Sequence, residues 1–247
     1  RSSIYICCSM TEKKGDHSVI DKKAWLKERI EEGLVFYKGN IRGKVFIEYI
    51  PAEAAWVPIQ ADNWMHINCL WVSGSFKGQG YSDELLQHCI ADARAKGMHG
   101  ITILSGKKKL PFLSDPSYLK HKGFTPADEA GAFTLMQLPF HTDVKAPCFA
   151  KTVFQPKHPE HTFVLYYTDQ CPFAIQYAIR FAQWMNNWGQ PCTVHHITTR
   201  EAAQKCPAPV TSYALFYGNT YLTNEIMSEK KAEKLWRTYG SQTVQAG

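Results

Sequence analysis

Met65-His-Ile-Asn-Cys-Leu-Trp-Val72, then Ser73-Gly-Ser-Phe-Lys-Gly-Gln-Gly80, then the run from Tyr81 to Lys96 form the stretch on which the fold turns. Met65 to Val72 is apolar enough for a buried strand. From about Ser82 to Lys96 the residues Leu85, Leu86, Cys89, Ile90 and Ala93 recur at helical spacing, and Gly97 stops the run. Ser82 is the expected N-cap. The segment between them is rich in glycine, which turns the backbone tightly and lets its N–H groups approach a ligand. A helix N-terminus directly after such a loop adds unpaired donors and a partial positive charge, and the two together favour a phosphate or pyrophosphate. A glycine turn that is only a turn is the ordinary alternative.

Working outward, Asp21 to Glu32 reads as a helix with Trp25, Leu26 and Ile30 on one face. Strands follow at Leu34 to Lys38 and Lys44 to Ile50. After the glycine loop and its helix come a strand at Ile101 to Leu104, a short helix at Pro116 to Lys120, and a closing pair of strands from Gly123-Phe124 to Leu138. Phe140 to His161 carries Pro147, Pro156 and Pro159 without a sustained period and reads as a linker. The chain beyond it alternates again: strand His161 to Thr168, helix Pro172 to Asn187, strand Cys192 to Ile197, helix Arg200 to Lys205, strands Ser212 to Tyr217 and Tyr221 to Thr223, and a last helix Ser228 to Tyr239. The expected division is 1–140, a linker at 141–160, and 161–247.

Composition narrows the classes. The 247 residues are 45% hydrophobic and 20% charged, which is globular rather than disordered. No apolar run approaches the about twenty residues of a membrane span, and Arg1-Ser2-Ser3-Ile4 does not open a signal peptide. The first residue is Arg rather than Met, so part of the native N-terminus is expected to be missing. The net charge of +6 suits an anionic ligand, while the densest basic run is only Lys107-Lys108-Lys109, so nucleic acid is not the expected partner. Eight cysteines include no C-x-x-C pair, which removes the usual zinc-ribbon and dithiol spacings. No metal is expected, and a reducing cytoplasm is the simplest setting.

Walker and dinucleotide-fold loops are excluded, since neither G-K-[ST] nor G-x-G-x-x-G occurs. The segment instead resembles the acetyl-CoA loop of the GNAT acetyltransferases. That fingerprint, Q/R-x-x-G-x-G/A, reads here Lys77-x-x-Gly80-x-Ser82, with Lys and Ser as departures at its two ends. The family's Gly-Phe pair is matched by Gly123-Phe124, and the element order agrees through Leu138. The resemblance implies an α+β fold with a mixed, mostly antiparallel, splayed sheet, acetyl-CoA as co-substrate, and an N-acetyltransferase. It implies pyrophosphate on Lys77, Gly78, Gln79, Gly80, Tyr81 and Ser82, and pantetheine along Leu70, Trp71 and Val72. The family normally opens with a strand before its first helix; only Ser2 to Ser9 remains to supply it.

The implied chemistry is direct attack of a primary amine on the thioester, which requires a neutral amine, a polarised carbonyl and an acid for the leaving thiolate. The family's Tyr four residues before Gly-Phe is Leu119 here, with Tyr118 one residue earlier and turned by about 100° on a helix. Tyr118 is the candidate acid. His66 and Asn68 (through water) and Glu48 are the base candidates, each with core packing as its other reading. Cys69 reads as core.

Beyond the linker, Cys171-Pro-Phe-Ala174 at a strand–helix junction and Ala208-Pro209 before a strand resemble a thioredoxin fold, with a cis proline expected at Pro209. Asp169-Gln-Cys-Pro-Phe173, Tyr213-Ala-Leu-Phe-Tyr217 and Thr223-Asn-Glu-Ile226 resemble the YoaP-like domain found behind some GNAT domains. Phe112-Leu-Ser-Asp115 resembles the same two-domain subgroup and adds Ser114 to the cofactor-binding residues. Cys171 at a helix N-terminus is a possible reactive thiol, with Cys206 or Cys192 as partner; the alternative is a half-buried thiol in a domain that supports dimerisation or shapes the cleft. The function expected is acetyl transfer to a small-molecule amine, with no membrane partner and a homodimer left open. Two alternatives stand beside it: a thiol-dependent redox or thiol-binding protein whose GNAT-like part only binds CoA, and a catalytically silent scaffold.

Overall fold

The computed structural model describes residues 17–41 and 43–240. The strand expected at Ser2 to Ser9, with Cys7 and Cys8, lies outside them. Helix α1 (Ser18–Glu31) leads into β1 (Val35–Lys38), β2 (Val45–Pro51), β3 (Ile59–Gln60) and β4 (Met65–Val72); α2 (Tyr81–Ala95) and β5 (Gly100–Gly106) follow, then α3 (Pro116–His121), β6 (Thr125–Ala130) and β7 (Phe133–Pro139). Together they build a six-stranded sheet in the order β1-β2-β4-β5-β7-β6, antiparallel except for the β4–β5 pair. Both faces are covered. Val45, Ile47 and Tyr49 of β2 join Leu85, Leu86 and Cys89 of α2 in one core, while Glu48 and Ile50, one residue out of phase, face α1.

Helix α1 starts a turn earlier than the periodicity suggests. Its buried stripe is Val19, Lys22, Trp25, Leu26 and Arg29, and two cations inside an apolar stripe hide its first turn from a hydropathy reading. Ile30, expected on the buried face, is instead exposed.

The second half adds β8 (Cys148–Phe149), β9 (Phe163–Tyr167), α4 (Pro172–Asn187), β10 (Cys192–His196), α5 (Arg200–Gln204), β11 (Tyr213–Tyr217), β12 (Thr220–Thr223) and α6 (Glu229–Tyr239). The four longer strands form a sheet in the order β10-β9-β11-β12, parallel between β9 and β10 and antiparallel elsewhere. Alternation along β9 and β11 splits its core in two. Phe163, Leu165, Tyr213 and Leu215 pack on α4 with Ala178, Phe181 and Met185. Val164, Ala214 and Phe216 turn the other way, into a core shared with Trp25, Leu26, Ile50 and Trp56 of the first half. The expected linker is not a spacer: β8 pairs with β3, and the Phe154 ring meets Phe133 tilted and Tyr221 edge-to-face. Its apolar residues are too few and too unevenly spaced to register as a period, yet they close the seam between the sheets.

Because Phe216 sits fully buried in that shared core, Phe216→Ala is expected to cost about 3–5 kcal/mol. Urea unfolding followed by tryptophan fluorescence and by far-UV circular dichroism should keep one coincident transition. Two separated transitions would show sheets that unfold independently.

Candidate functional site

The sheet forks where the sequence places its informative strand. Strand β5 pairs with β7 along its whole length, and β4 stays with β2 as far as Val45↔Val72, but β4 and β5 are paired only at Met65↔Ile101, His66↔Thr102 and Ile67↔Ile103. At the point of separation β4 carries a bulge: Tyr49 faces Ile67 and Glu48 faces Cys69, which leaves Asn68 without an opposite number. Beyond it no described strand pairs with the edge of β4 that faces β5.

Asn68 is tied down by a chain of buried charge. The Lys22 ammonium lies 2.6 Å from Glu48 Oε2, with the two side chains only 1% and 2% exposed, and Asn68 Nδ2 donates to Glu48 Oε1 at 3.0 Å. A carboxylate can only accept, so the amide must present its N–H₂ to Glu48. Its carbonyl Oδ1 is thereby left for the cleft. Glu48, a base candidate from sequence, has both oxygens engaged and serves instead to hold Asn68. His66 is 2% exposed, and burial lowers its pKa to about 4, so the ring is neutral at physiological pH; its Nδ1 has no hydrogen-bond partner among the described residues.

The fork opens into a cleft of about 100 Å³, lined on the first sheet by His66, Asn68, Cys69, Leu70, Trp71 and Ile103 and by the loop residues Phe112 to Ser114. Cys69 therefore borders the cleft rather than only the core. The opposite wall comes from the second half, from Gln170 and Val210 to Ser212, with Val57 beside them. Sequence reasoning missed Lys22, Phe112, Gln170, Thr211 and Ser212 as site residues. They come from four separate segments with no mutual spacing, and the one local hint was the lysine breaking the stripe of α1.

At the far end of β4 the loop is bare. Gly78 and Gly80 adopt φ of +74° and +83°, a backbone conformation that favours glycine, and a Cβ built on either meets nothing within 4 Å. Gly80, not Ser82, is the N-cap of α2. The left-handed turn moves the cap two residues earlier and leaves Tyr81 and Ser82 in the first turn of the helix, where N–H groups lack intrahelical acceptors. Asp83 in the same turn would repel an anion, but Lys122 holds it at 2.6 Å. Lys77 is exposed on the loop, whereas Lys107 pairs with Glu129. Tyr118 donates its hydroxyl to the Ser82 carbonyl at 3.4 Å and does not line the cleft; burial raises its pKa, and Leu119 beside it is fully buried. The described residues hold no cluster of three metal-ligating side chains, and no described helix is long and apolar enough to cross a membrane.

Cys171 is the N-cap of α4, followed by Pro172, and packs half-buried in the core between α4 and its sheet. The expected cis proline is not found: no described peptide bond is cis. The loop around Pro209 is held by the first half, with Thr211 Oγ1 donating to the Trp56 carbonyl at 2.5 Å. Burial pushes Cys192 and Cys206 up to about 12, which keeps both protonated.

Two predictions follow from the buried groups. Lys22→Met, which strands the Glu48 carboxylate, should cost about 3–5 kcal/mol in urea unfolding, while Lys22→Met/Glu48→Leu recovers most of it; equal losses in both would contradict the ion-pair account. For His66 the folded pKa lies below the unfolded one, so the unfolded state binds more protons between pH 6.5 and about 4, and stability falls as pH drops through that window. A shift of this size corresponds to roughly 3 kcal/mol. The wild-type protein should lose about that much more than His66→Asn over the interval, and parallel pH profiles would refute the assignment.

Residues 5–111 match the acetyltransferase (GNAT) family model and residues 191–234 the YoaP-like model. The chain is 46% identical over 235 residues, 95% of its length and 94% of the relative's, to the uncharacterized N-acetyltransferase YoaP of Bacillus subtilis (strain 168). Solved structures with more distant likeness include the PaiA N-acetyltransferase of Thermoplasma acidophilum in complex with coenzyme A (14% identity, 50% of this chain and 74% of that one, TM-score 0.38). Another is a GNAT acetyltransferase of Brucella melitensis in complex with acetyl-CoA (16% identity, 53% and 72%, TM-score 0.35). The chain belongs to the acetyltransferase (GNAT) family: it is an acetyl-CoA-dependent acyltransferase with a YoaP-like segment in its second half.

Proposed function

We propose that the enzyme moves the acetyl group of acetyl-CoA to a primary amine of a small-molecule acceptor, by direct attack in the fork between β4 and β5. The observation that carries this reading is the bulge at Asn68 where β4–β5 pairing ends, on the strand that runs on into the exposed glycine loop. The amides of residues 78–82 and the Lys77 ammonium take the pyrophosphate. The unpaired edge of β4 at Leu70, Trp71 and Val72 takes the pantetheine as an added strand, and Ser114 borders the same fork.

The acceptor amine donates an N–H to Asn68 Oδ1, whose amide is polarised by the Glu48 carboxylate behind it. Its lone pair then forms the C–N bond as the C–S bond breaks. The amine gives up one proton and the departing thiolate gains one, both by way of water. His66, with a pKa near 4, cannot store the amine's proton and acts only as a hydrogen-bond acceptor. Tyr118, the acid candidate from sequence, donates its hydroxyl to the Ser82 carbonyl from outside the cleft and steadies the turn that holds the pyrophosphate. The residue blocks 1–140, 141–160 and 161–247 are read as catalytic domain, connecting segment and accessory domain. The β10-β9-β11-β12 order with α4 behind β9 supports a thioredoxin-like ancestry for the last; Ala174 stands where a second thiol would act.

A thermal melt tests the reading. Acetyl-CoA at 100 times its Kd should add about 2.7 kcal/mol of stability, and Gly80→Glu, which puts a carboxylate into the open space of the loop, should abolish the shift. Primary amines should then release CoA thiol in step with N-acetylated product. No shift at millimolar acetyl-CoA would overturn the proposal.

A further inference from the structure

The cleft is finished by a part of the chain that the family's chemistry does not require. We infer that the second half supplies the acceptor-specificity wall, and that the acceptor is a monoamine bearing a flat aromatic group and an uncharged hydrogen-bonding substituent; this rests on the proposed acetyl transfer. Three observations converge. First, among the described residues the second half presents Gln170 and Val210 to Ser212 to the cleft. Gln170 and Ser212 bring an amide and a hydroxyl, which both donate and accept. Second, two aromatic side chains border the same cleft while remaining open to solvent, Trp71 at 43% and Phe112 at 60% exposure. Large exposed aromatics beside a concave site are what a flat ligand stacks on.

The third observation is that the second half also sets the posture of Phe112. Its backbone has φ of +61°, a conformation that costs a non-glycine residue free energy and persists only where neighbours enforce it. The enforcing contact comes from Asn224, 5% exposed, whose Nδ2 donates to the Pro111 carbonyl at 2.7 Å. Asn224 is thus a positioning residue for the aromatic wall.

Charge decides the rest. Among the described residues that line the cleft none is a carboxylate, lysine or arginine, the buried His66 ring is neutral, and Glu48 behind Asn68 is already neutralised by Lys22. A second ammonium on the acceptor would lose its hydration there with no carboxylate in exchange, and the +6 chain repels a polycation at a distance. The cleft therefore selects one amine, a ring, and a neutral polar group on it.

The test compares tyramine, 2-phenylethylamine and spermidine as acceptors for the full chain with saturating acetyl-CoA. Tyramine should have the highest kcat/KM and spermidine the lowest. Gln170→Ala/Ser212→Ala should raise the tyramine KM about tenfold and leave that of 2-phenylethylamine nearly unchanged, because only the phenol uses those groups. Phe112→Ala should raise the KM of both aryl amines by about five- to tenfold. Asn224→Ala should do so for both as well, and in every variant the KM for acetyl-CoA stays as in the wild type. A preference for spermidine, or wall variants that alter the acetyl-CoA KM and not the acceptor KM, would overturn the inference while the transferase reading stands. If no amine is acetylated, calorimetric titration of tyramine into the CoA-saturated chain separates the two claims. Binding weakened by Gln170→Ala/Ser212→Ala upholds the wall and retires the transfer chemistry; no binding overturns both.

Discussion

The Lys22–Glu48 pair is the constraint around which the site is arranged. Two charges removed from water are stable only with close geometry and with their remaining lone pairs satisfied, and both conditions are met by bringing α1 down on β2 and by recruiting Asn68 of β4. The recruitment has a geometric consequence. To reach Glu48, Asn68 must leave the ladder, and the bulge it forms lies where β4 stops following β5. A single buried carboxylate therefore links the position of the first helix, the divergence of the sheet, and the orientation of the Asn68 amide.

The second sheet is joined to this machinery as a continuation of its core. Trp56, held edge-to-face by Trp25 and covered by the Arg29 guanidinium, packs among Val164, Ala214 and Phe216. Hydrogen bonds from Thr211 and Gln204 to backbone carbonyls at Trp56, Glu53 and Ala55 lock the seam. Loops on an exposed accessory domain would sample many positions; loops anchored this way stay where the core puts them, and those near residues 170 and 211 sit over the fork. The same rigidity that gives the two halves one core makes the second half a wall of the site.

Much of the fold was legible because its signals are local. The β4–loop–α2 passage, Gly123-Phe124 and the spacing of Pro172 to Asn187 each announce an element through turn chemistry or periodicity, and the strand of residues 65–72 and the helix of 172–187 have their expected ends. The candidate site was legible only where it is backbone: the glycine loop and the end of β4. Its side chains were not, for physical reasons. Lys22 looks like a surface residue of a helix until its partner 26 positions away is known. Ser82 looks like an N-cap because a left-handed glycine is invisible to a composition rule. The wall residues 170 and 210–212 acquire meaning only from a seam between sheets whose connecting segment shows no period. The cis bond expected at Pro209 is not among the described peptide bonds, and Thr211, two residues on, bonds to the Trp56 carbonyl.

Hydrogen–deuterium exchange of the full chain, with and without saturating acetyl-CoA, tests the central claim most directly, since it reads the backbone edge that the fork leaves unpaired. Those amides of 70–72 that point away from β2, with the amides of 78–82, should exchange rapidly in the free chain and slow by at least tenfold in the complex, with the paired segment at 65–67 unchanged. Protection confined to other segments, or fork and loop amides unaltered by the ligand, would contradict the account of a sheet that splays in order to hold it.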